Sequence, residues 1–213
     1  MNIIKKQFRY VNYNIVFWLI GINVLIFAAK SLLGMQVRIL LETRMSMIPL
    51  AIVEYKWFWT FITYMFMHAD ISHIVFNMLG LFIFGMHVER QMGSWEFLVF
   101  YLVTGMLAGI FSFGVYYFTG NYLVFLMGAS GAIYAVQLAY AVFFPNSVIH
   151  IWGILPLRAP IMVLGFTVLS LFFIISGRGG NVAHLTHLAG FGFAWIYFFF
   201  RLDINPWRRL TGR

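Results

Sequence analysis

The sequence predicts an all-α polytopic membrane protein with six transmembrane helices and an interfacial first exterior loop. Of its 213 residues, 62% are hydrophobic and 9% are charged, whereas about a quarter of the residues in a soluble domain are charged. The hydrophobic residues stand in long unbroken runs. Backbone polar groups in lipid must be satisfied within the protein, and such runs favour helices over the short alternating strands of a barrel.

Six segments are apolar and long enough to cross a hydrocarbon core about 30 Å thick. They cover residues 14–33, 71–88, 95–118, 122–144, 161–176 and 182–202. Glycine or proline residues separate most of these segments, as is typical of helix ends. We therefore divide the chain into a short N-terminal segment (1–13), a six-span domain (14–202) and a basic tail (203–213).

The basic residues predict the orientation in the membrane. Six spans place both termini on one side, and a cytoplasmic N-terminus leaves nine of the 14 Lys and Arg residues inside. The positive-inside rule therefore favours cytoplasmic termini. Because these residues are spread over termini and short loops, membrane topology explains the net charge of +8 better than nucleic-acid binding does.

The first exterior loop, 34–70, is long and contains an aromatic run from Trp57 to Met67. This run is too apolar for a free loop and too short to span a bilayer. We expect it to lie in the membrane interface.

Strongly polar side chains within the spans are few, and each is costly, at roughly 2.5–3.5 kcal/mol for a charged type at the bilayer centre. The second span contains His73 and Asn77, which lie four residues apart on one helical face. The fourth contains Ser130, and the sixth contains His184 and His187. Together they supply a hydroxyl nucleophile, an imidazole base and two side-chain donors, which is what acyl transfer requires.

Each of these features also has a structural interpretation. The small residues from Gly128 to Gly131 are more often a packing motif than a catalytic one. His73 and Asn77 could bridge helices by hydrogen bonds, and a single membrane histidine could relay protons. Two pairs of small residues, Gly131 with Ala135 and Gly190 with Ala194, predict close approach of the fourth and sixth spans.

The ordered motifs resemble the rhomboid intramembrane serine proteases over about residues 57–200. The matching stretches begin with His68 and His73-Ile-Val-Phe-Asn77, and continue with Gly85-Met-His-Val-Glu89-Arg-Gln-Met-Gly93-Ser94. The remaining two are Gly128-Ala-Ser130-Gly131 with Tyr134, and His187-Leu-Ala-Gly190 with Ala194. The resemblance implies a rhomboid-like bundle in a bacterial inner membrane, with transmembrane proteins as substrates.

Carried over by position, the resemblance makes Ser130 the nucleophile and His187 the general base, with His73 and Asn77 contributing to the oxyanion hole. It makes Glu89 a polar anchor near the cytoplasmic end of the second span. His187, unlike His184, has the glycine that the family pattern requires three residues later. The chain departs from the family at Trp59-Thr60, where an arginine often follows the tryptophan, and at Ala194, where the family has glycine.

Depth and chemistry follow from the residues themselves. If the regular fourth helix begins at Ser130 and ends before Pro145, its 14 rises of about 1.5 Å cover about 21 Å, which places Ser130 several ångströms below the exterior surface. The stretch 122–127 would then be an apolar loop within the protein. No acidic residue lies near enough for a triad, so we expect a dyad, with Tyr134 packing against the imidazole and Ser130 N–H completing the oxyanion hole.

Two other functions remain open at this stage. A catalytically silent rhomboid-like protein would bind transmembrane helices without cutting them, and a proton-coupled transporter would use the buried histidines. The chain has no cysteine, no His-Glu-x-x-His motif and no pair of mid-span aspartates, so we expect neither a metal nor another cofactor.

Overall fold

The computed structural model describes residues 8–151, 154–176 and 181–212. In its first part, one long helix precedes three short ones and a 3₁₀ turn at Tyr64–Phe66: α1 (Ile15–Leu32), α2 (Met35–Met45), α3 (Pro49–Tyr55) and α4 (Thr60–Thr63). The second span then consists of α5 (Ile71–Gly80), a π-helical turn (Leu81–Gly85) and α6 (Met86–Met92).

The second part is helical apart from one hairpin. Its elements are α7 (Ser94–Phe118), α8 (Ser130–Phe143), β1 (Val148–Ile151), β2 (Leu155–Arg158), α9 (Ala159–Ser176), α10 (Asn181–Phe200) and α11 (Pro206–Thr211). Predicted features at 177–180, and the basic residues Lys5, Lys6 and Arg213, lie outside the described residues.

The chain is an integral membrane protein built as a helical bundle. Within the described ranges, four helices are long and apolar enough to cross a bilayer: α1, the continuous α5–α6 helix, α7 and α9. The shorter α8 is also apolar, and α10 has 20 residues. These six helices correspond to the six predicted spans, and the predicted helical fold class is confirmed.

The fourth span differs from its predicted bounds because its helix begins only at Ser130. Residues 122–129 are not helical; Met47 and Leu126 exchange backbone hydrogen bonds of 2.9–3.0 Å, and Gly128 N donates to Tyr64 O. A loop at this depth is tolerated because the protein itself satisfies its polar groups. The expected apolar loop before Ser130 is therefore present.

The α8 helix is the centre of the bundle. Nearly all of its residues from Gly131 to Val142 are buried, with Tyr134 half-buried. It packs against α7 and α10, and many of the residues at these contacts are glycine or alanine. A helix buried on every side is apolar all round, which explains why α8 resembles a membrane span in sequence despite its short length.

The aromatic run of the exterior loop divides into two parts. Trp57 and Trp59 stack on each other, and Trp59 is 47% exposed, as expected of an interfacial segment. Tyr64, Met65 and Met67 are instead buried in the protein. Tyr64 and Met65 occupy the space that side chains at Gly109 and Gly105 of α7 would need, and the Tyr64 hydroxyl donates to Gly105 O (2.7 Å).

The exterior loop has a guanidinium anchor despite Thr60. Arg44 of α2 lies over the Trp57 ring, 4.5 Å from its centroid, and Trp59 Nε1 donates to Arg44 O (2.9 Å). Thr60 is buried, and its hydroxyl donates to Trp57 O (2.6 Å). The cation–π contact thus comes from Arg44, which lies 15 residues before Trp59, and not from position 60.

Candidate active site

The structure brings Ser130 and His187 into direct contact. Ser130 Oγ lies 2.8 Å from His187 Nε2, which is a hydrogen-bond distance. Ser130 is the first residue of α8, and His187 lies in the second turn of α10. The nucleophile and base candidates therefore stand on two adjacent helices of the bundle.

Two glycines explain how α8 and α10 approach so closely. A Cβ added at Gly190 would overlap the carbonyl oxygen of Gly131, and a Cβ added at Gly131 would lie 3.3 Å from Thr186 Cγ2 of α10. Ala135 and Ala194, the second members of the predicted small-residue pairs, are fully buried. Backbone contact of this kind is possible only where side chains are absent or very small.

The Tyr134 ring stacks on His187. The two rings are 4.2 Å apart and 15° from parallel, and Phe191 packs against Tyr134 from α10. His187 Nδ1 is buried and has no hydrogen-bond partner in the part of the chain that the structure describes. The imidazole is therefore oriented by ring packing and by its contact with Ser130.

His184 points elsewhere. Its ring stacks on Phe173 of α9 at 4.8 Å and lies perpendicular to the His187 ring, 5.9 Å away. The structure thus distinguishes the two histidines of α10, since it is His187 that contacts Ser130.

His73 and Asn77 lie on α5 beside the loop that precedes Ser130. His73 Nε2 is so close to Gly128 that a Cβ there would lie 2.6 Å from it, and Gly128 has a φ of +123°, which favours glycine. Asn77 is buried, and its Nδ2 donates to His73 O (2.7 Å). An amide group has two N–H donors, so one remains for a ligand.

The start of α8 adds backbone donors to the same region. Among the described residues, no side chain accepts a hydrogen bond from the N-terminal N–H groups of this helix. The first N–H groups of a helix have no carbonyl acceptor within the helix itself. The N–H groups of the first turn, with the positive end of the helix dipole, are therefore available to a negatively charged oxygen beside Ser130.

Asp70 fixes where α5 begins. Its carboxylate accepts hydrogen bonds from His73 N (2.8 Å) and from the Ser72 hydroxyl (2.6 Å). The Ser72 and His73 hydrogen bonds hold the pKa of Asp70 below its usual value. As an N-cap, Asp70 sets the register of the turn that contains His73.

Lys30 was not predicted as part of this region, and it anchors the segment before α5. Its Nζ donates to His68 O (2.5 Å) and Ala69 O (2.9 Å) and lies 3.3 Å from Glu42. Lys30 lies in the last turn of α1, where it is buried. The neighbouring His68 is also buried, and burial, with smaller contributions from His73 and Lys30, lowers its pKa to about 3.

Two buried carboxylates lie at the opposite end of the bundle. Glu89 accepts hydrogen bonds from Ile15 N (2.7 Å), Val16 N (3.0 Å) and the Ser94 hydroxyl (2.5 Å), so it caps α1 from another helix. Glu96 accepts from Arg201, with two contacts of 2.9 Å, and from the Tyr197 hydroxyl. The sequence indicated the location of Glu96 but not this network.

Neither the described side chains nor the chemistry of the site suggests a metal centre. No group of three His, Asp or Glu side chains in the described ranges has the spacing of a metal site. The donors around Ser130 are a hydroxyl, imidazoles, an amide and backbone N–H groups, which are suited to acyl transfer without a metal.

Sequence comparison identifies proteins to which the chain is similar. The family model of the Rhomboid domain matches residues 55–204. Rhomboid-related protein 2 of Mus musculus is 32% identical over 64% of the chain, and Rhomboid protease AarA of Providencia stuartii is 31% identical over 43%. Rhomboid protease GlpG of Haemophilus influenzae is 32% identical over 61%.

These matches cover only part of each relative. The aligned region spans 45% of the mouse protein, 36% of AarA and 64% of GlpG. The family model nevertheless covers well over half of the present chain, including every candidate site residue.

Proposed function

The chain belongs to the rhomboid family, and we propose that it is an intramembrane serine endopeptidase that hydrolyses peptide bonds in or near transmembrane segments of other membrane proteins. One observation carries the proposal: Ser130 Oγ lies 2.8 Å from His187 Nε2 inside a bundle of membrane helices. Relatives named as rhomboid proteases support the reaction class. Ser130 is the nucleophile and His187 the general base.

The reaction has two steps. His187 Nε2 accepts the proton of the Ser130 hydroxyl as the oxygen attacks the scissile carbonyl, and then returns that proton to the leaving amine. The resulting acyl-enzyme is hydrolysed when His187 deprotonates a water molecule in the same way. As the acyl bond breaks, His187 Nε2 returns the proton taken from water to Ser130 Oγ, which restores the hydroxyl and the neutral imidazole.

An oxyanion hole stabilises the tetrahedral intermediate. Its donors are the N–H of Ser130 at the start of α8, the second N–H of the Asn77 amide, and His73. One such donor is worth about 2.7–4 kcal/mol in the transition state. Gly128 supports this arrangement because a side chain there would displace the His73 ring.

The catalytic pair is a dyad. His187 Nδ1 has no carboxylate partner among the described residues, and the stacked Tyr134 ring orients the imidazole in its place. Gly131, Gly190 and Ala194 keep α8 and α10 close enough for the dyad to form. Glu89 is a structural anchor that holds α1 against the second span.

The substrates are transmembrane proteins whose helices contain small or helix-weakening residues at the cut, because a helical carbonyl must first be freed from its hydrogen bond. We place both termini in the cytoplasm of a bacterial cell and the protein in its inner membrane, with Ser130 nearer the exterior face. In this orientation residues 1–13 and 203–213 are cytoplasmic, and residues 14–202 form the protease domain. The partners of the protein are its transmembrane substrates and membrane lipid, and we expect no nucleic acid among them.

The experiment compares Ser130→Ala, His187→Ala and His184→Ala with the unchanged chain, reconstituted in phospholipid vesicles with a single-span test substrate. Cleavage should fall below detection in the first two variants and persist in the third, whose histidine lies one turn away. A fluorophosphonate probe should label the unchanged chain but not Ser130→Ala.

Undiminished cleavage by Ser130→Ala or His187→Ala would overturn the dyad. An unchanged chain that binds the test substrate, is not labelled and does not cut it would instead be a catalytically silent rhomboid-like protein.

A further inference from the structure

Two cavities meet at the end of the bundle that is remote from Ser130. One is a groove of about 680 Å³ between α9 and α10, and the other is a pocket of about 270 Å³ beside α11. Pro160, Leu210 and Thr211 line both of them. The two cavities are therefore neighbouring parts of one surface, which we call the composite groove.

The larger part is apolar and opens toward the surroundings of the bundle. Val163 and Leu164 of α9 form one wall, Phe191 and Trp195 of α10 form the other, and Leu138 of α8 lies at its base. A Cβ added at Gly192 would meet no atom within 4 Å, so this glycine deepens the groove. Because α9 and α10 are membrane helices, the apolar part faces hydrocarbon chains.

The smaller part is basic. Arg158 at the end of β2 and Arg209 of α11 line it, and Arg208 lines an adjoining pocket with Asp203. Arg158, Arg208 and Arg209 are exposed, and no carboxylate among the described residues forms an ion pair with any of them. The guanidinium groups of Arg158 and Arg209, which line the smaller cavity, thus lie beside the opening of an apolar groove without a carboxylate partner in the described chain.

Trp207 marks the level at which the two parts meet. It lines the groove, is 60% exposed and directly precedes the arginines of α11. Tryptophan is enriched at the boundary between hydrocarbon and headgroups. The arginines therefore lie at headgroup depth, while the groove lies at the depth of the acyl chains.

We propose that the composite groove binds one anionic phospholipid, with its phosphate between Arg158 and Arg209 and an acyl chain along Leu164 and Trp195. The charge favours this occupant, because basic pockets between membrane helices bind anionic headgroups. The volume of the apolar part is in the range of small-molecule sites. A partner helix in the groove would leave the arginine pocket without a counter-charge. The site does not depend on the chemistry of Ser130.

The experiment measures lipid binding to the detergent-purified full chain by native mass spectrometry. Dioleoyl-phosphatidylglycerol, dioleoyl-phosphatidylcholine and inorganic phosphate are titrated separately. Phosphatidylglycerol should bind at one site, and at least tenfold more tightly than phosphatidylcholine. Each arginine near an anionic headgroup contributes about a fivefold factor in affinity, so Arg158→Gln with Arg209→Gln should weaken phosphatidylglycerol binding about 25-fold.

Two matched controls separate the parts of the site. Arg90→Gln removes an exposed arginine from the same end of the bundle, outside the groove, and should leave affinity unchanged. Gly192→Leu fills the groove and should weaken lipid binding at least fivefold, whereas Gly114→Leu, at another open glycine, should not. Binding is also followed by thermal unfolding, which confirms that each variant is folded.

Four outcomes would overturn the proposal. They are equal affinity for the two lipids, an equal loss in Arg90→Gln, displacement of the lipid by millimolar inorganic phosphate, and a dimer that forms through the groove and dissociates in Gly192→Leu.

Discussion

In the proposed dyad, Tyr134 takes over the orienting role of a triad's acidic residue, but it contacts the face of the imidazole rather than Nδ1. A carboxylate fixes the imidazole by a hydrogen bond to Nδ1, whereas here the ring is held by stacking at 4.2 Å. A charged carboxylate would be expensive to bury in the bilayer, and an aromatic ring is not. The stack therefore orients His187 at lower cost in this environment.

Replacing Tyr134 tests this role. Tyr134→Phe keeps the ring and should retain most activity, whereas Tyr134→Ala removes it and should lower kcat about 100-fold, as expected of a misplaced catalytic group. KM should change little because the ring does not touch the scissile bond. The measurement is cleavage kinetics in vesicles. Equal losses in both variants would assign the effect to the hydroxyl instead.

Asn77→Ala should lower kcat by about 100- to 1,000-fold with little change in KM, because an oxyanion donor acts mainly in the transition state. Ser72→Ala is the matched control, because this exposed hydroxyl lies on the same helix and donates to Asp70 rather than to the site around Ser130. A rise in KM without a fall in kcat would show that Asn77 binds the substrate rather than the oxyanion.

Several residues of the candidate site could be predicted from sequence because polar groups within membrane spans are rare and costly to bury. On this basis the sequence predicts Ser130, His187, His73 and Asn77. It missed Lys30, which stands at a helix end where lysine is common. Only the fold shows that its ammonium turns inward to the carbonyl groups of His68 and Ala69.

At the scale of elements, the contact of α8 with α10 determines whether the dyad forms. Gly190→Ala would place a methyl group on the Gly131 carbonyl, and a backbone atom cannot move aside as a side chain can. We expect at least a tenfold loss of kcat and a lower thermal midpoint. Gly114→Ala, at a glycine of α7 in open space, should behave like the unchanged chain. Full activity of Gly190→Ala would refute the close-contact requirement.

Lys30 connects α1 to the segment that leads into α5. Lys30→Met leaves two carbonyl oxygens without their donor, which should cost about 1–3 kcal/mol of unfolding free energy and lower kcat through His73. Lys56→Met, at an exposed lysine bonded only to its own turn, is the control. Unfolding is followed by titration with dodecyl sulphate. A loss of the same size in both variants would contradict the anchoring role.

Elements differ in how well the sequence predicts them. Long apolar runs predicted the spans, since bilayer thickness sets their length. The short α2, α3 and α11 helices and the β1–β2 hairpin were not predicted, because helices of this size are stabilised by tertiary contacts rather than by their own sequence. Residues 122–129 are as apolar as a span, and only contacts with Met47 and Tyr64 make them a loop.

At the scale of the whole molecule, acid should destabilise the fold through His68. Its pKa is about 3 in the folded chain, because of burial, and about 6.5 in an unfolded one. The unfolded chain therefore binds the proton first, and stability present at pH 7 is lost as the pH falls from about 6.5 toward 3. Between pH 7 and pH 5 the loss from this group is about 2 kcal/mol.

Unfolding free energies of the unchanged chain and of His68→Gln, measured at pH 7 and pH 5, test this expectation. The variant should be less stable at pH 7 but less sensitive to acid. His150→Gln, at an exposed histidine of the hairpin, should keep the original pH dependence. An identical pH dependence in His68→Gln would assign the acid sensitivity to other groups.

The capping of α1 by Glu89 has a consequence for biosynthesis. Ile15 N and its acceptor are 74 residues apart, so α1 leaves the ribosome well before the carboxylate that completes it. At about 5–20 residues per second the interval is roughly 4–15 s. During this time the first amides of α1 must remain near water or headgroups. The N-terminal end of α1 thus packs against the second span late in membrane insertion, although α1 is synthesised first.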